Sequence, residues 1–457
     1  MMQQTEAVAT WIAELNWNDL PSSVISQAKR CFIDHLGCVA GGTQSEPGRI
    51  AADAAVNWGG PPEATIVGSA QRVAARNAAF ANATAANALD FDDTYYGHPG
   101  ATTFPAALAA AEKWQRSGKE FLIAAILGYE ISYRAMALMK PLIGRYQDMW
   151  DLGSLQAFGS AASAARLAGL PASGVMNALG LISGTAPMPL PRKQRNAAFG
   201  RSMLKSAYGW SADSGIVSAE LTIAGFSGPG LALDDNLGFW TVEPISDQLR
   251  GFADGLGDAW AILNVEFKPY MACRFIHPVL QAVEDIMERR ETIPRKIRRV
   301  EINTFALLGD EHHYILRPKS GTDAQFSVPY TVAVTLSKGR ITAESYEPSC
   351  LYDQEILDLA DRVVVTTEPR FDAAYPRRLG AQVDILFEDG SMESATISHP
   401  KGSLEDGTSD EALREKYYAL TDQVFGYQRA HAIVQLIEDL DHQNSLVPLM
   451  ALLAEHD

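Results

Sequence analysis

The sequence holds 457 residues, with 38 Lys+Arg against 55 Asp+Glu and a formal net charge of −17. A chain of this length is expected to form two or three structural units, and 47% hydrophobic against 20% charged residues excludes extensive disorder. The acidic balance excludes a general nucleic-acid binder, which needs a basic surface, yet allows a local basic pocket that holds a small anion.

Met1 to Trp11 lacks a basic n-region and carries Glu6 where a signal peptide would be apolar, so a cytoplasmic location is expected. Ser22 to Val39 sets Val24, Ile25, Ala28, Cys31, Phe32 and Leu36 at three- and four-residue steps, which predicts a helix with one buried stripe. Alanine-rich helices are predicted at Ala74 to Leu89, Phe104 to Trp114, Phe121 to Met139 and Leu155 to Leu167, packed closely because their side chains are small. This part carries no strand pattern, and apolar stretches such as Phe121 to Leu127 are too short to span a bilayer. Arg192, Lys193, Arg195, Arg201 and Lys205 precede a helix from Tyr208; unaided, such a run reads as a solvated loop.

The character changes after about Lys268. Val300 to Phe305, Arg362 to Thr367 and Gln382 to Phe387 read as strands, the last joined through Glu388-Asp389-Gly390 to Glu393–Ile397 as a hairpin. With helices at Pro278 to Arg290 and Ala324 to Leu336 they make a small α+β unit. Helical patterns return after Pro400, where Ser409 offers a cap and Glu415 to Leu420, Gln428 to Leu440 and Leu446 to Leu453 are amphipathic. Periodicity alone leaves open whether this last piece is a third unit or folds back on the first.

Cys31, Cys38, Cys273 and Cys350 form no CxxC pair, which argues against a disulfide scaffold, a cysteine-held zinc or an iron–sulfur cluster. HExxH, P-loop and strand–GxGxxG–helix motifs are absent too. His312 and His313, read as neighbours on a strand, would point to opposite sides and could not chelate together.

Two constellations carry possible chemistry. In the first, a helix persisting through Asp93 would put Asp90 and Thr94 on one face, with His98 following in a Gly/Pro-bounded loop and Thr103 capping the next helix. The alternative is a solvated acidic cluster beside a loop histidine. The second is Lys268 to Pro278, where His277 would lie near the N-cap of a helix whose free N–H groups favour a carboxylate. Arg274 could clamp that anion and Lys268 add a point charge. The alternative is a linking turn whose cations pair with surface acids. Cys273 alone reads as a small buried hydrophobe, and Tyr330 equally as a core residue.

Together these segments resemble the MmgE/PrpD family. The likeness runs through Phe32-Ile33-Asp34-His35-Leu36-Gly37, Asn82 to Thr94, His98-Pro99-Gly100-Ala101, Lys268-Pro269-Tyr270 with Cys273-Arg274-Phe275 and His277, Phe326 to Tyr330, Pro400-Lys401-Gly402 and Ser409-Asp410-Glu411. The resemblance implies a mostly α fold: a large all-α domain from both chain ends (1–267 and 401–457), an inserted α+β lid domain (268–400), and a homodimer. It also implies a cleft without metal or organic cofactor, acting on a di- or tricarboxylate. Carried over, the catalytic residues are His98, Asp90, His277, Lys268 and Tyr330, and the substrate-binding residues Thr94, Lys205, Arg274 and Cys273. Lys205 stands in a segment one residue shorter than the family's usual spacing. The segment between Thr94 and His98 is shorter than in the decarboxylase branch, which argues against that activity.

The shared chemistry is proton transfer at a carbon next to a carboxylate. On this reading His98 is the base, and His277 or a protonated Asp90 or Asp93 delivers a proton to a leaving hydroxyl. Lys268, Arg274 and Lys205 hold carboxylates, while Thr94 and Tyr330 orient. The expected activity is a hydro-lyase on a methylcitrate-like acid; its rivals are an epimerase of a dicarboxylate such as iminodisuccinate and a decarboxylase of an aconitate-like acid. A non-catalytic carboxylate binder is the contrasting class, disfavoured because the acid/base set is complete.

Overall fold

The computed structural model describes residues 3–95, 97–137, 152–187, 195–196, 200–234, 251–289 and 297–454. Arg192, Lys193 and Met139 lie outside these, as does the side chain of Arg195.

The first half is helical. Ser22–Thr43, Ala75–Ala88, Pro99–Lys113, Gly118–Ala137, Leu152–Leu167 and Tyr208–Ile223 surround one large apolar cluster. Small residues let the axes approach: a Cβ on Gly159 would lie 2.3 Å from the Gly128 carbonyl, so Leu152–Leu167 packs backbone to backbone on Gly118–Ala137. The same cluster takes in Leu413, Tyr417, Ile433 and Leu449 from Asp410–Phe425, Tyr427–Glu438 and Val447–Leu453, so the C-terminal helices fold back on the first half.

A second cluster runs from Tyr270 to Ile397. Its sheet has the order Val363–Thr367, Ile297–Thr304, Ala381–Phe387, Met392–Ile397; the first pair is parallel, the other two antiparallel. Ala381, Val383, Ile385 and Phe387 alternate inward beneath His277–Glu288, the half-buried strand pattern that the sequence shows. Gly390 takes φ 83 at the hairpin turn, where a side chain would be strained. Between the large clusters sits a small one of Cys38, Leu89, Phe91 and Leu420.

Several elements differ from expectation. The first half contains two-residue ladders, Ala64–Thr65 with Arg72–Val73 and Arg195–Asn196 with Gly200–Arg201, too short to leave a pattern. The helix expected over 324–336 is two, Gly321–Gln325 and Val328–Lys338, divided where Ser327 Oγ accepts the Tyr330 N–H at 3.0 Å. His312 and His313 lie in a turn, not a strand. No described helix is long and apolar enough to cross a membrane.

Candidate active site

The helix Ala75–Ala88 stops before the acidic run, so Asp90 and Thr94 do not share a helical face. Asp90 instead turns left-handed, with φ 51, and its N–H bonds back to Asn87 O at 3.1 Å. A non-glycine residue in that region is held by its surroundings. Here the holder is Lys268, whose Nζ donates to the Asp90 carbonyl at 2.9 Å and to Asp90 Oδ1 at 3.1 Å.

Residues far apart in sequence are joined at this turn. Thr94 and Glu266 exchange two backbone hydrogen bonds of 2.9 Å, and Thr94 Oγ1 donates to Gly97 O at 2.8 Å. His98 follows as the N-cap of Pro99–Lys113; Thr103 is therefore inside that helix and does not cap it. Pro99 at the first helical position fixes the start.

His98 is held through its backbone and its Nδ1. Nδ1 lies 3.0 Å from Asp92 Oδ2, and Nε2 lies 3.6 Å from Asp90 Oδ1. Asp92 in turn accepts from Asn87 Nδ2 at 2.8 Å. The His98 N–H donates to Gln156 Oε1 at 3.1 Å, Gln156 Nε2 donates back to the His98 carbonyl, and the Tyr208 ring stands 5.5 Å away. Asp93 faces elsewhere: its carboxyl accepts from Gly100 N at 3.1 Å and from the Tyr129 hydroxyl.

Burial raises all three carboxyl groups, and their different neighbours drive them apart. Burial raises Asp90, yet the charges of Lys268, Lys205 and His98 outweigh it and hold the group well below the carboxylate range. Asp92 also ends low, because His98 and Lys268 outweigh burial. For Asp93, burial and then the Asp34 charge push the group up to about 8. The run thus holds two carboxylates and one neutral acid, set by what each faces. Lys205 donates to Asn87 O at 2.7 Å, and burial lowers it to about 8 against the pull of Asp90 and Asp92. It therefore joins the cluster, on a short segment with left-handed Lys205 and Ala207.

The structure gives other expected residues different surroundings. His277 is the first helical residue and fully buried; Nε2 donates to Ala272 O at 3.0 Å and Nδ1 accepts from Arg274 at 3.1 Å. Burial and then Arg274 hold the ring well below its ordinary range, so it stays neutral, with its one N–H bonded to Ala272 O. Arg274 is spent on Glu266 Oε2 at 2.8 Å and Lys401 O at 3.3 Å. Tyr330 donates its hydroxyl to Ser345 O in the second core. Cys273 Sγ lies 3.9 Å from His313 Nε2.

Asn87, Gln156 and Tyr129 are further residues of this region that the sequence patterns do not mark. Gln156 and Tyr129 sit in long apolar helices, where a buried polar residue is the available signal, and Asn87 lies within the stretch from Asn82 to Thr94. Asp90, Asp92 and His98 offer donor atoms within 4.8 Å of one another, a set able to take a cation, although Lys268 already supplies positive charge there.

Comparison with known proteins decides the family. Residues 6–248 match the MmgE/PrpD N-terminal domain and residues 270–442 the MmgE/PrpD C-terminal domain. The chain belongs to the MmgE/PrpD family. Among curated MmgE/PrpD relatives, cis-aconitate decarboxylase of Aspergillus terreus is 25% identical over 98% of this chain and 95% of its own length. Cis-aconitate decarboxylase of Homo sapiens is 25% identical over 98% and 94%. 2-Methylcitrate dehydratase of Salmonella typhimurium is 33% identical over 18% of each chain. These MmgE/PrpD relatives are lyases, and they support an enzyme of the same kind.

Proposed function

We propose that the chain is a lyase acting without a cofactor on a small hydroxy-polycarboxylate of the 2-methylcitrate type, by proton transfer at the carbon next to a carboxylate. The observation that carries this reading is the His98 imidazole, tied at Nδ1 to Asp92, with Nε2 beside the Asp90–Lys268 pair. Asp92 fixes the tautomer, leaving the Nε2 lone pair to take the α-proton. Negative charge then develops on the adjacent carboxylate, where Lys268 and Lys205 supply fixed positive potential. Asp90 Oδ2 is buried without a hydrogen-bond partner and suits a substrate hydroxyl. His277 and Arg274 act through position: the histidine accepts from the arginine, which braces Glu266 and thereby Thr94.

A second reading is decarboxylation of a cis-aconitate-like acid, favoured by the length of the similarity to cis-aconitate decarboxylases. Proton NMR in D2O with 2-methylcitrate and cis-aconitate separates the two. A new alkene from 2-methylcitrate supports the first, and loss of CO2 from cis-aconitate supports the second. Stereoisomer interconversion with deuterium uptake and neither product would overturn both.

A further inference from the structure

Dehydration requires a base and an acid, and with His277 closed off the acid is unassigned. Asp93 is neutral but bonded to Gly100 and Tyr129, so it does not stand beside His98's Nε2. A different trio has the right make-up. Cys273 Sγ lies 3.9 Å from His313 Nε2, and His313 Nδ1 lies 3.0 Å from Asp310 Oδ1. Asp310 Oδ1 also accepts the backbone N–H groups of His312 at 2.9 Å and His313 at 3.1 Å, which fixes the turn that carries the ring. The Cys273 N–H is anchored on Gln325 O at 2.9 Å, and Gln325 Nε2 on Ala88 O at 2.8 Å, two residues before Asp90. The thiol feels the charges of Asp90 and Lys268.

We propose that Cys273 is the proton donor of the reaction, and that His313 and Asp310 form a relay that returns a proton to it. The proposal rests on the reading of His98 as the base. Burial first, and then Asp90, push the thiol up to about 11, so it is protonated at neutral pH and suits a donor, not a thiolate nucleophile. Asp310 holds the opposite state: burial raises it, but the His313 hydrogen bond and charge bring it below the usual range, so it can stabilise an imidazolium. The trio reaches solvent at Asp310, whose side chain is 30% exposed, while Cys273 and His313 are buried.

The step balances. His98 takes the α-proton. The substrate C–O bond breaks with its electron pair on oxygen, the Cys273 S–H hydrogen passes to that oxygen, water leaves, and a thiolate remains. Solvent protonates His313, its Nε2–H proton restores the thiol, and His98 releases its proton to solvent.

Kinetics of variants test this, beside calorimetry that separates the pocket from the donor: failure of tricarballylate to bind the wild-type protein would sink the polycarboxylate reading of the pocket itself. With 2-methylcitrate in D2O, Cys273→Ala and Cys273→Ser are expected to lose elimination by about 10²-fold while α-hydrogen exchange continues, since His98 remains. His313→Gln should lower elimination with the same retained exchange. Elimination within a few-fold of wild type in Cys273→Ala, or equal loss of exchange and elimination, contradicts Cys273 as donor. Retained exchange in His98→Ala would strike the base assignment separately.

Discussion

His98→Ala removes the imidazole but neither of its carboxylate neighbours, so turnover should fall by about 10²-fold or more with the fold intact. Circular dichroism beside steady-state kinetics checks this. Lys205 carries its own pH signature. Its value of about 8 lies below that of a free lysine, so the ammonium loses its proton as pH rises through about 8. The KM for a tricarboxylate should therefore climb between about pH 7 and about pH 9, and Lys205→Met should raise KM and flatten the climb. Asp93 titrates in the opposite sense. Raised to about 8, it keeps its proton in the folded state where the unfolded chain has released it. That contribution is full below about pH 4 and is lost as pH rises through about 8. Thermal melts should show wild type losing Tm relative to Asp93→Asn across that window; parallel curves would mean that Asp93 is ionised.

Helix ends decide the site more than helix bodies do. Ala75–Ala88 stops short and Pro99–Lys113 starts early, leaving a turn that holds Asp90, Asp92, Thr94 and His98. Gly100 shows how tight it is: a Cβ there would lie 2.5 Å from Asp93 Oδ1 and 2.6 Å from the Tyr129 hydroxyl. Gly100→Ala should cost about 1–3 kcal/mol in denaturant unfolding and lower turnover by displacing His98. Helix bodies were legible because three- and four-residue apolar spacing is local, and the sheet strands because alternation is. The end at Ala88 lies one residue from the Leu89 end that the pattern predicts, but the left-handed turn at Asp90 was not legible, because the force that holds it comes from Lys268. For the same reason the family pattern pointed to His277 without revealing that Ala272 and Arg274 occupy both its nitrogens.

Three parts of the chain meet under the His98 turn. Lys268 and Glu266 hold it from one direction. From the C-terminal helices, Lys416 Nζ donates to Phe91 O at 2.6 Å and pairs with Asp34 Oδ1 at 2.6 Å. A buried ion pair of this kind is costly to break singly, so Lys416 ties 410–425 to the acidic turn as well as to Ser22–Thr43. The homodimer implied by the family pattern is a further expectation, measurable by sedimentation. The proposed chemistry requires one anion held between His98, Lys268 and Lys205, and a crystal structure with tricarballylate bound tests that most directly. The expected result is a carboxylate within hydrogen-bond reach of Lys268 or Lys205, with a substrate carbon facing His98 Nε2. Tricarballylate bound elsewhere, with Asp90 and Lys268 undisturbed, would contradict the account.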